Sequence, residues 1–223
     1  MKKFIRFVGV IVCAACLCAS LASCSHLKKL TYDSSGILTG SGVGTGYKYA
    51  PLGYEPTSVG DEYALIDNEM QEILYRIGDL DPAEWLTTEY AGGATMVYCS
   101  ADTELPDREE LKPETAYFCI KGDTPDLLAE IGKGDGEGEL IEKLCGLICD
   151  PDTEDEMWPR TDINESYLLR FYSSDWPAIY YSVTYADCAS GNYIYDKIGG
   201  KCVKIGDELE KYYESTNTSD NVG

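Results

Sequence analysis

The first 24 residues contain the densest group of side chains capable of chemistry. Residues 13–24 read CAACLCASLASC, which places four cysteines close together and makes Cys13 and Cys16 a CxxC pair. Thiolates at this spacing bind zinc or exchange disulfides when a second ligand pair and a folded loop support them. The surrounding run, residues 7–21, is apolar and uncharged and supplies neither. In this setting Cys13, Cys16 and Cys18 act as small hydrophobic residues.

The segment that holds these cysteines has the layout of an export signal. It opens with the basic stretch MKKFIR, continues through the uncharged run and ends in Leu-Ala-Ser-Cys at residues 21–24. The run is short for a bilayer-spanning helix, which needs about 20 apolar residues, and suits the core of a signal peptide. Leu-Ala-Ser-Cys resembles the lipobox of bacterial lipoproteins. The resemblance, which covers residues 1–24 only, implies cleavage after residue 23 and lipid attachment at Cys24.

The alternative is an ordinary secretory signal whose cleavage site precedes a cysteine. Under the lipoprotein interpretation the apolar run leaves with the signal, so the lipid on Cys24 is the anchor. Two acyl chains hold a protein stably at a membrane, whereas one does not. The sequence therefore predicts a protein of the bacterial cell envelope, extracytoplasmic, on the outer face of the cell membrane or on the outer membrane.

Charge restricts the partners of the chain. It has 39 acidic and 18 basic residues and a net charge of −21, and cleavage after residue 23 would remove only basic residues. Such a chain repels nucleic-acid phosphates and anionic bilayers, so we expect no nucleic-acid partner and contact with the membrane through the lipid on Cys24. Lys28 and Lys29 are exceptions beside the anchor. A hydrophobic content of 44% is that of a globular protein.

Histidine is almost absent, which limits the chemistry available. The single histidine, His26, follows Cys24 by two residues and precedes the expected domain. Ser-His and Cys-His nucleophiles and His-containing metal sites therefore lack a ligand or a base there. Acidic stretches that begin at Asp135 and Asp150 depart from the calcium-loop pattern at its sixth position, where glycine is required. We expect no catalytic residue, metal or cofactor, although a glycosidase-like hydrolase acting through two carboxylates stays open.

Six cysteines follow Cys24 in the chain. An even number in an exported protein fits disulfides, and six cysteines permit fifteen pairings. Cys145 and Cys149 lie four apart on a predicted helix and suit core thiols. The candidate disulfides join neighbouring strand-like segments and are Cys99–Cys119 and Cys188–Cys202.

Tyrosines give the best indication of a binding surface, since seven of the 18 lie between residues 167 and 195. Alternation along the strand places Tyr181, Val183 and Tyr185 on one face and Tyr180 on the other. If the first face is core, the second exposes aromatic rings beside polar groups, which suits glycan or peptide binding. Tyrosine also favours half-buried strands without any ligand. The candidate ligand-facing aromatic residues are Tyr172, Trp176, Tyr180, Tyr193 and Tyr195.

Periodicity predicts the elements that would position these residues. The predicted helices cover residues 61–77, a short stretch after Asp81, 124–132, 139–149 and 207–213. The predicted strands cover residues 95–100, 116–121, 167–173, 178–186, 193–198 and 201–205. The last four strands form an antiparallel meander, because turn residues separate them. We therefore expect an α+β fold in which several helices pack against one antiparallel sheet.

The chain divides into four predicted parts. Residues 1–23 are the signal peptide, and residues 24–56, which contain six glycines, are a flexible tether with a reach of about 30 Å at about 5–6 Å × √n. Residues 57–214 form one domain with a candidate subdomain break at 150–165, and residues 215–223 are a disordered tail. We expect a binding or interaction module for a glycan, a peptide or an envelope protein. The alternatives are the two-carboxylate hydrolase and a structural envelope subunit.

Overall fold

The computed structural model describes residues 27–89, 95–106, 108–122, 125–132 and 136–213. These residues form a closed barrel of seven strands and a second sheet, whose strand pairs are all antiparallel. The described residues contain one α-helix, α1 (Glu137–Cys149), and two 3₁₀ turns, Arg108–Glu110 and Glu210–Tyr212. The predicted signal peptide and Cys24 lie outside the described residues.

The barrel closes through a parallel pair, β1 with β5, while its other neighbouring strands run antiparallel. Its strands are β1 (Lys28–Tyr32), β2 (Leu38–Thr39), β3 (Tyr47–Tyr49), β5 (Glu62–Ile66), β6 (Ile73–Arg76), β7 (Trp85–Thr87) and β8 (Val97–Ser100). Buried side chains fill the interior, as expected for a small barrel. They are Leu30, Leu38, Tyr47, Ala64, Ile66, Leu74, Leu86 and Tyr98.

The second sheet has the strand order β10-β9-β11-β12-β13-β14, and β4 pairs with β12. Its strands are β4 (Tyr54–Pro56), β9 (Thr115–Ile120), β10 (Asp126–Ile131), β11 (Ile163–Tyr172), β12 (Ile179–Cys188), β13 (Gly191–Asp196) and β14 (Cys202–Ile205). Strand β4 follows directly from the barrel, so the connection between the two sheets is short.

One apolar core lies between the barrel wall and the inner face of the second sheet. Strand β8 shows how alternation builds it: Tyr98 points into the barrel, whereas Val97 and Cys99 point outward into the shared core. Phe118 and Tyr181 of the second sheet meet them there. Helix α1 packs on the same core through Ile141, Leu144 and Ile148.

The predicted α+β class, with several helices packed on a sheet, is wrong. Residues 61–77 form strands β5 and β6 instead of a helix. Ala64 and Ile66 are buried at a spacing of two, while Met70, which the helix would have buried, is 89% exposed in the connecting turn. A short apolar pattern with both spacings does not distinguish a helix from a hairpin, and pairing with β1 selects the hairpin.

Three further helix predictions are wrong. The segment predicted as a helix over 124–132 contains β10, whose backbone pairs with β9. After Asp81 the chain makes a turn, in which the Asp81 carboxylate accepts the N–H of Ala83 at 2.9 Å, and enters β7. The predicted terminal helix is reduced to the 3₁₀ turn Glu210–Tyr212.

The helix predicted over 139–149 and the C-terminal meander are confirmed. Helix α1 begins two residues earlier than predicted and ends at the predicted residue. Strands β11, β12, β13 and β14 pair successively and antiparallel. The two earlier predicted strands, β8 and β9, are present but belong to different sheets.

The segment predicted as a flexible tether contributes strands β1 to β4. Leu30 and Leu38 within it are fully buried in the barrel. Its glycines serve tight connections: Gly46 has φ +88°, and a Cβ there would lie 2.7 Å from the carbonyl oxygen of Leu38. Close packing therefore requires glycine at Gly40, Gly46 and Gly53, whereas Gly36, Gly42 and Gly44 have open space around them.

Replacing Leu38 by alanine tests the inclusion of this segment in the folded barrel. We expect Leu38→Ala to lower the free energy of unfolding by about 2–5 kcal/mol, because it leaves a cavity in a packed interior. The measurement is urea denaturation of the protein lacking residues 1–23. Leu52→Ala is the matched control, since Leu52 is 62% exposed, and should change stability by less than about 0.5 kcal/mol. If both variants lowered the free energy of unfolding by the same small amount, the segment would be a flexible tether and not a part of the barrel.

Candidate functional site

The outer face of the second sheet carries a cluster of half-buried tyrosines, which we call the tyrosine face: Tyr117, Tyr172 and Tyr180. Register places Tyr172 beside Tyr180 on adjacent strands. The Tyr180 ring lies edge-to-face with both others, at centroid distances of 5.5 Å to Tyr117 and 6.1 Å to Tyr172. This geometry is favourable for aromatic pairs and holds the rings in fixed orientations.

A buried ion pair lies beneath the tyrosine face. Arg170 of β11 donates from Nε to the Glu55 carboxylate at 2.8 Å, and its Nη2 donates to the same oxygen. The two side chains are only 9% and 12% exposed. The Arg170 guanidinium also lies 5.4 Å from the centroid of the Tyr180 ring, within the range of a cation–π contact. Strand β4, which supplies Glu55, is therefore fixed to the sheet by charge as well as by backbone pairing.

Ser182 lies next to Arg170 in the β11–β12 register and is fully buried. No described group hydrogen-bonds to its hydroxyl oxygen. Leaving a buried hydroxyl without a partner costs about 1–3 kcal/mol. Ser182 is not among the described residues that line the cavity beside the tyrosine face, so its hydroxyl is a buried feature of the sheet and not a group presented to a ligand.

A cavity of about 590 Å³ opens beside the tyrosine face, where the barrel meets the second sheet. Tyr180 and Arg170 form its sheet side, and Tyr75 and Glu89 form its barrel side. The remaining lining residues belong to the connection from β4 to β5 and to the start of β10 and are Pro56, Thr57, Ser58, Val59, Gly60 and Pro125. Its volume is in the range of small-molecule sites, about 300–1,000 Å³.

The walls of this cavity are held by hydrogen bonds on both sides. Thr57 donates its hydroxyl to the carbonyl of Pro177 at 2.9 Å, which fixes the connection to the second sheet. Gly60 donates its N–H to the carbonyl of Arg76 at 2.9 Å, which fixes the connection to the barrel. The cavity is therefore largely preformed.

The hydroxyls of Tyr75, which lines the cavity, and of Tyr117 on the tyrosine face are protonated at neutral pH. Tyr75 donates to the Glu89 carboxylate at 3.4 Å. Burial, followed by the charges of Glu89 and Glu62, raises the pKa of Tyr75. Burial, followed by Glu130 and Tyr172, likewise raises the pKa of Tyr117. The site can therefore offer phenol donors, a guanidinium and carboxylate acceptors to a bound molecule.

The structure divides the predicted ligand-facing aromatic residues. Tyr172 and Tyr180 lie together on the tyrosine face. Trp176 packs instead against the inner core, from the turn between β11 and β12. Tyr193 is only 7% exposed, and the Tyr195 ring packs in a tilted orientation against Trp158, at a centroid distance of 5.3 Å, in a separate cluster. The predicted division of strand β12 holds, with Tyr181, Val183 and Tyr185 all in the inner core.

Sequence reasoning missed Tyr117, Arg170, Glu55 and Tyr75. Tyr117 could have been found, because the stretch TAYFCI alternates and places Tyr117 opposite Phe118. Glu55 and Arg170 carry no local signal, since they are 115 residues apart and meet only through the pairing of β4 with β12.

All six cysteines of the described residues are free thiols. The structure does not bring Cys99 and Cys119 together: Cys99 lies in the shared core, whereas Cys119 lies beside Arg170 on the other face of the second sheet. Cys188 and Cys202 share one small buried cluster with Tyr193. A disulfide between Cys188 and Cys202 stays a prediction. Burial raises the pKa of each of these thiols, which favours the protonated form at neutral pH.

A second cavity, of about 570 Å³, lies between α1 and the turn that contains Arg108. Cys145 and Cys149 line it, and burial raises the pKa of both thiols. Arg108 donates to the fully buried Asp196 carboxylate at 2.7 Å. Asp196 also accepts backbone N–H groups from Ile198 and Gly199 at 2.9 and 2.8 Å, so its carboxylate oxygens are used in holding the turn after β13. This arrangement is structural.

Two searches of the described residues concern other kinds of site. No group of three or more His, Cys, Asp or Glu side chains in this part of the chain is placed to hold a metal ion. None of the helices described has the length and apolar character needed to cross a bilayer.

Comparison of the chain with protein-family models, curated proteins and solved structures finds no match. The functional interpretation therefore depends on the geometry of the tyrosine face and its cavity.

Neutralising Glu55 tests the role of the buried ion pair. We expect Glu55→Gln to lower the free energy of unfolding by about 3 kcal/mol, because the charge that offsets the desolvation of Arg170 is weakened. Chemical denaturation measures the change. The control is Asp67→Asn in the exposed pair with Lys29, whose side chains are 70% and 46% exposed at 3.9 Å. That variant should lose less than about 1 kcal/mol, and similar losses in both would contradict the assigned importance of the buried pair.

Proposed function

We propose that the chain is a lipid-anchored binding module of the bacterial cell envelope and that its tyrosine face and the adjoining cavity bind a glycan. One observation carries the proposal: the Tyr180 ring packs edge-to-face with Tyr117 and Tyr172 and lies over the ion-paired Arg170, and both Tyr180 and Arg170 line a cavity. Pockets that combine aromatic walls with a few placed polar groups are typical ligand sites.

The chemistry of a sugar ring matches this arrangement. A sugar presents C–H groups on its ring faces and hydroxyls around its rim. The faces of Tyr172 and Tyr180 suit the former, and Arg170, Glu89 and the tyrosine hydroxyls suit the latter. A peptide is the second candidate ligand. It would contact the same surface as an extended chain.

The alternative of a hydrolase that acts through two carboxylates requires a pair of acids across the cleft. Among the described lining residues of the cavity, Glu89 is the one carboxylate. Glu55 is nearby but is occupied by Arg170. The geometry therefore favours binding over bond cleavage.

Removing the central ring tests the proposed site. We expect the protein lacking residues 1–23 to bind at least one class of cell-wall or host glycan on an array, and Tyr180→Ala to weaken that binding by about tenfold or more, equivalent to about 1.4 kcal/mol. The matched control is Tyr49→Ala, because Tyr49 is 40% exposed on the barrel and is not a lining residue.

Two outcomes would contradict this assignment. Binding that Tyr180→Ala leaves unchanged would place the glycan elsewhere on the molecule. Capture of peptides and of no glycan, with the same sensitivity to Tyr180→Ala, would replace the glycan by a peptide at this surface.

Replacing the predicted attachment residue tests the anchor. We expect Cys24→Ala to lose acylation and to remain unprocessed or reach the wrong compartment, because the lipid is attached through that sulfur. Intact-protein mass and membrane fractionation measure both effects. Cys18→Ala is the matched control, since Cys18 is expected to be an apolar filler of the signal and its loss should change neither. Continued membrane fractionation of Cys24→Ala would refute the anchor.

A further inference from the structure

The first strand of the barrel begins only four positions after the predicted lipid attachment residue. Strand β1 starts at Lys28, and its third residue, Leu30, is fully buried in the barrel interior. Four extended residues span at most about 14 Å, at about 3.3–3.6 Å each. The barrel can therefore lie at most about 14 Å from Cys24. A flexible tether over residues 24–56 would instead have a reach of about 30 Å.

We infer that one end of the barrel, the end at which β1 begins, lies against the phospholipid headgroups of the membrane. The inference rests on the proposed lipid anchor at Cys24. The occupant of this surface follows from the length of chain that remains between Cys24 and Lys28. A diacylated cysteine places its sulfur at the headgroup level, and so short a link holds the folded barrel beside it.

The residues at this end are identified by strand direction. Lys28 of β1 pairs with Ala64 of the parallel strand β5, so the beginnings of both strands lie together. Strand β2 runs antiparallel to β1 and leads into the loop of residues 40–46 at the same end. A Cβ at Gly40 would lie 2.5 Å from the carbonyl oxygen of Lys29, which confirms that this loop crosses the start of β1.

The composition of this end is compatible with a headgroup surface. The loop of residues 40–46 reads GSGVGTG and carries no charge in a chain with 39 acidic residues. Lys28 and Arg76 both lie over the Tyr63 ring, at 4.7 and 5.4 Å from its centroid. Acidic residues Asp61 and Glu62 are also present near Arg76, so the end has mixed charge. The short link between Cys24 and Lys28, and not charge, therefore holds this end of the barrel at the membrane.

The second sheet packs on a different part of the barrel wall from the part formed by β1. It packs on the barrel wall formed by β7 and β8, through Trp85, Val97 and Cys99. Strands β1 and β5 lie on the opposite side of the ring in the strand order. The link to the lipid therefore leaves the barrel away from the second sheet.

The proposed ligand site comes close to the bilayer as a consequence. Gly60 and Tyr75, which line the cavity, lie at the same barrel end, because Gly60 bonds to the carbonyl of Arg76 and Tyr75 pairs with Glu62. Strand β6 is two strands from β1, or about 10 Å at about 4.8 Å per strand. Together with the link, the cavity wall lies within about 30 Å of the headgroups. The ligand is then one presented near the membrane surface.

Energy transfer in reconstituted vesicles tests the orientation. A fluorescent amino acid is incorporated into the full acylated protein at Ser41, in the loop at the membrane end, or at Ser35, in the exposed turn at the far end of β1. The acceptor is a headgroup-labelled lipid in phosphatidylcholine vesicles. Ser41 and Ser35 are a matched pair, since both are exposed serines in short connections.

We expect transfer from Ser41 to exceed transfer from Ser35 by about twofold or more with a short-range acceptor, since the five residues of β1 separate the two ends by about 15 Å. Insertion of a 20-residue Gly/Ser linker after His26 should abolish the difference, because its reach is about 25 Å. Equal transfer from both positions in protein whose mass confirms acylation, or an unchanged difference with the linker, would overturn the inference. Absence of the acyl mass would instead refute the anchor and the inference with it.

Discussion

The packing of the barrel wall against the second sheet determines where every other feature of the molecule lies. Trp85, Val97 and Cys99 on the outside of the barrel meet Phe118 and Tyr181 on the inner face of the sheet in a single buried core. Each large side chain removed from water contributes about 1.5–3 kcal/mol. Because this core is continuous, it fixes the position of the barrel against the sheet. The cavity lies beside this contact and is lined by residues of both.

The ion pair of Arg170 with Glu55 follows from the same constraint. Strand β4 leaves the barrel and pairs at once with β12, so it carries Glu55 to the outer face of the sheet beside Arg170. A buried pair of this kind contributes little net stability, because desolvation offsets most of the attraction, but it fixes position. Here it sets the register of β4 and holds the Tyr180 ring over a charged plane. The inner face of the sheet supplies the buried core, and the outer face supplies the geometry of the proposed binding site.

The sequence predicts the parts of this architecture that are long and locally paired. Strands β11 and β12 have ten residues each, enough for alternation to identify their buried face and to place Tyr180 correctly outside. The barrel strands have two to five residues, too few for a period to be recognised, and β1 closes the barrel through a parallel partner from a later segment. Tyr172 and Tyr180 of the candidate site were therefore predictable, whereas its charged base, assembled from residues 55 and 170, was not.

The electrostatics of the proposed site favour an uncharged ligand over an anionic one. The Arg170 charge is compensated by Glu55, and the raised pKa values of Tyr75 and Tyr117 keep their hydroxyls neutral at physiological pH. Glu89 adds one carboxylate within a chain of net charge −21, whose field repels anions. The proposed site, with its aromatic faces and neutral hydroxyls in an acidic surface, would favour an uncharged, hydroxyl-rich molecule over an anionic one, which is the chemistry of the neutral glycan that we propose as its ligand.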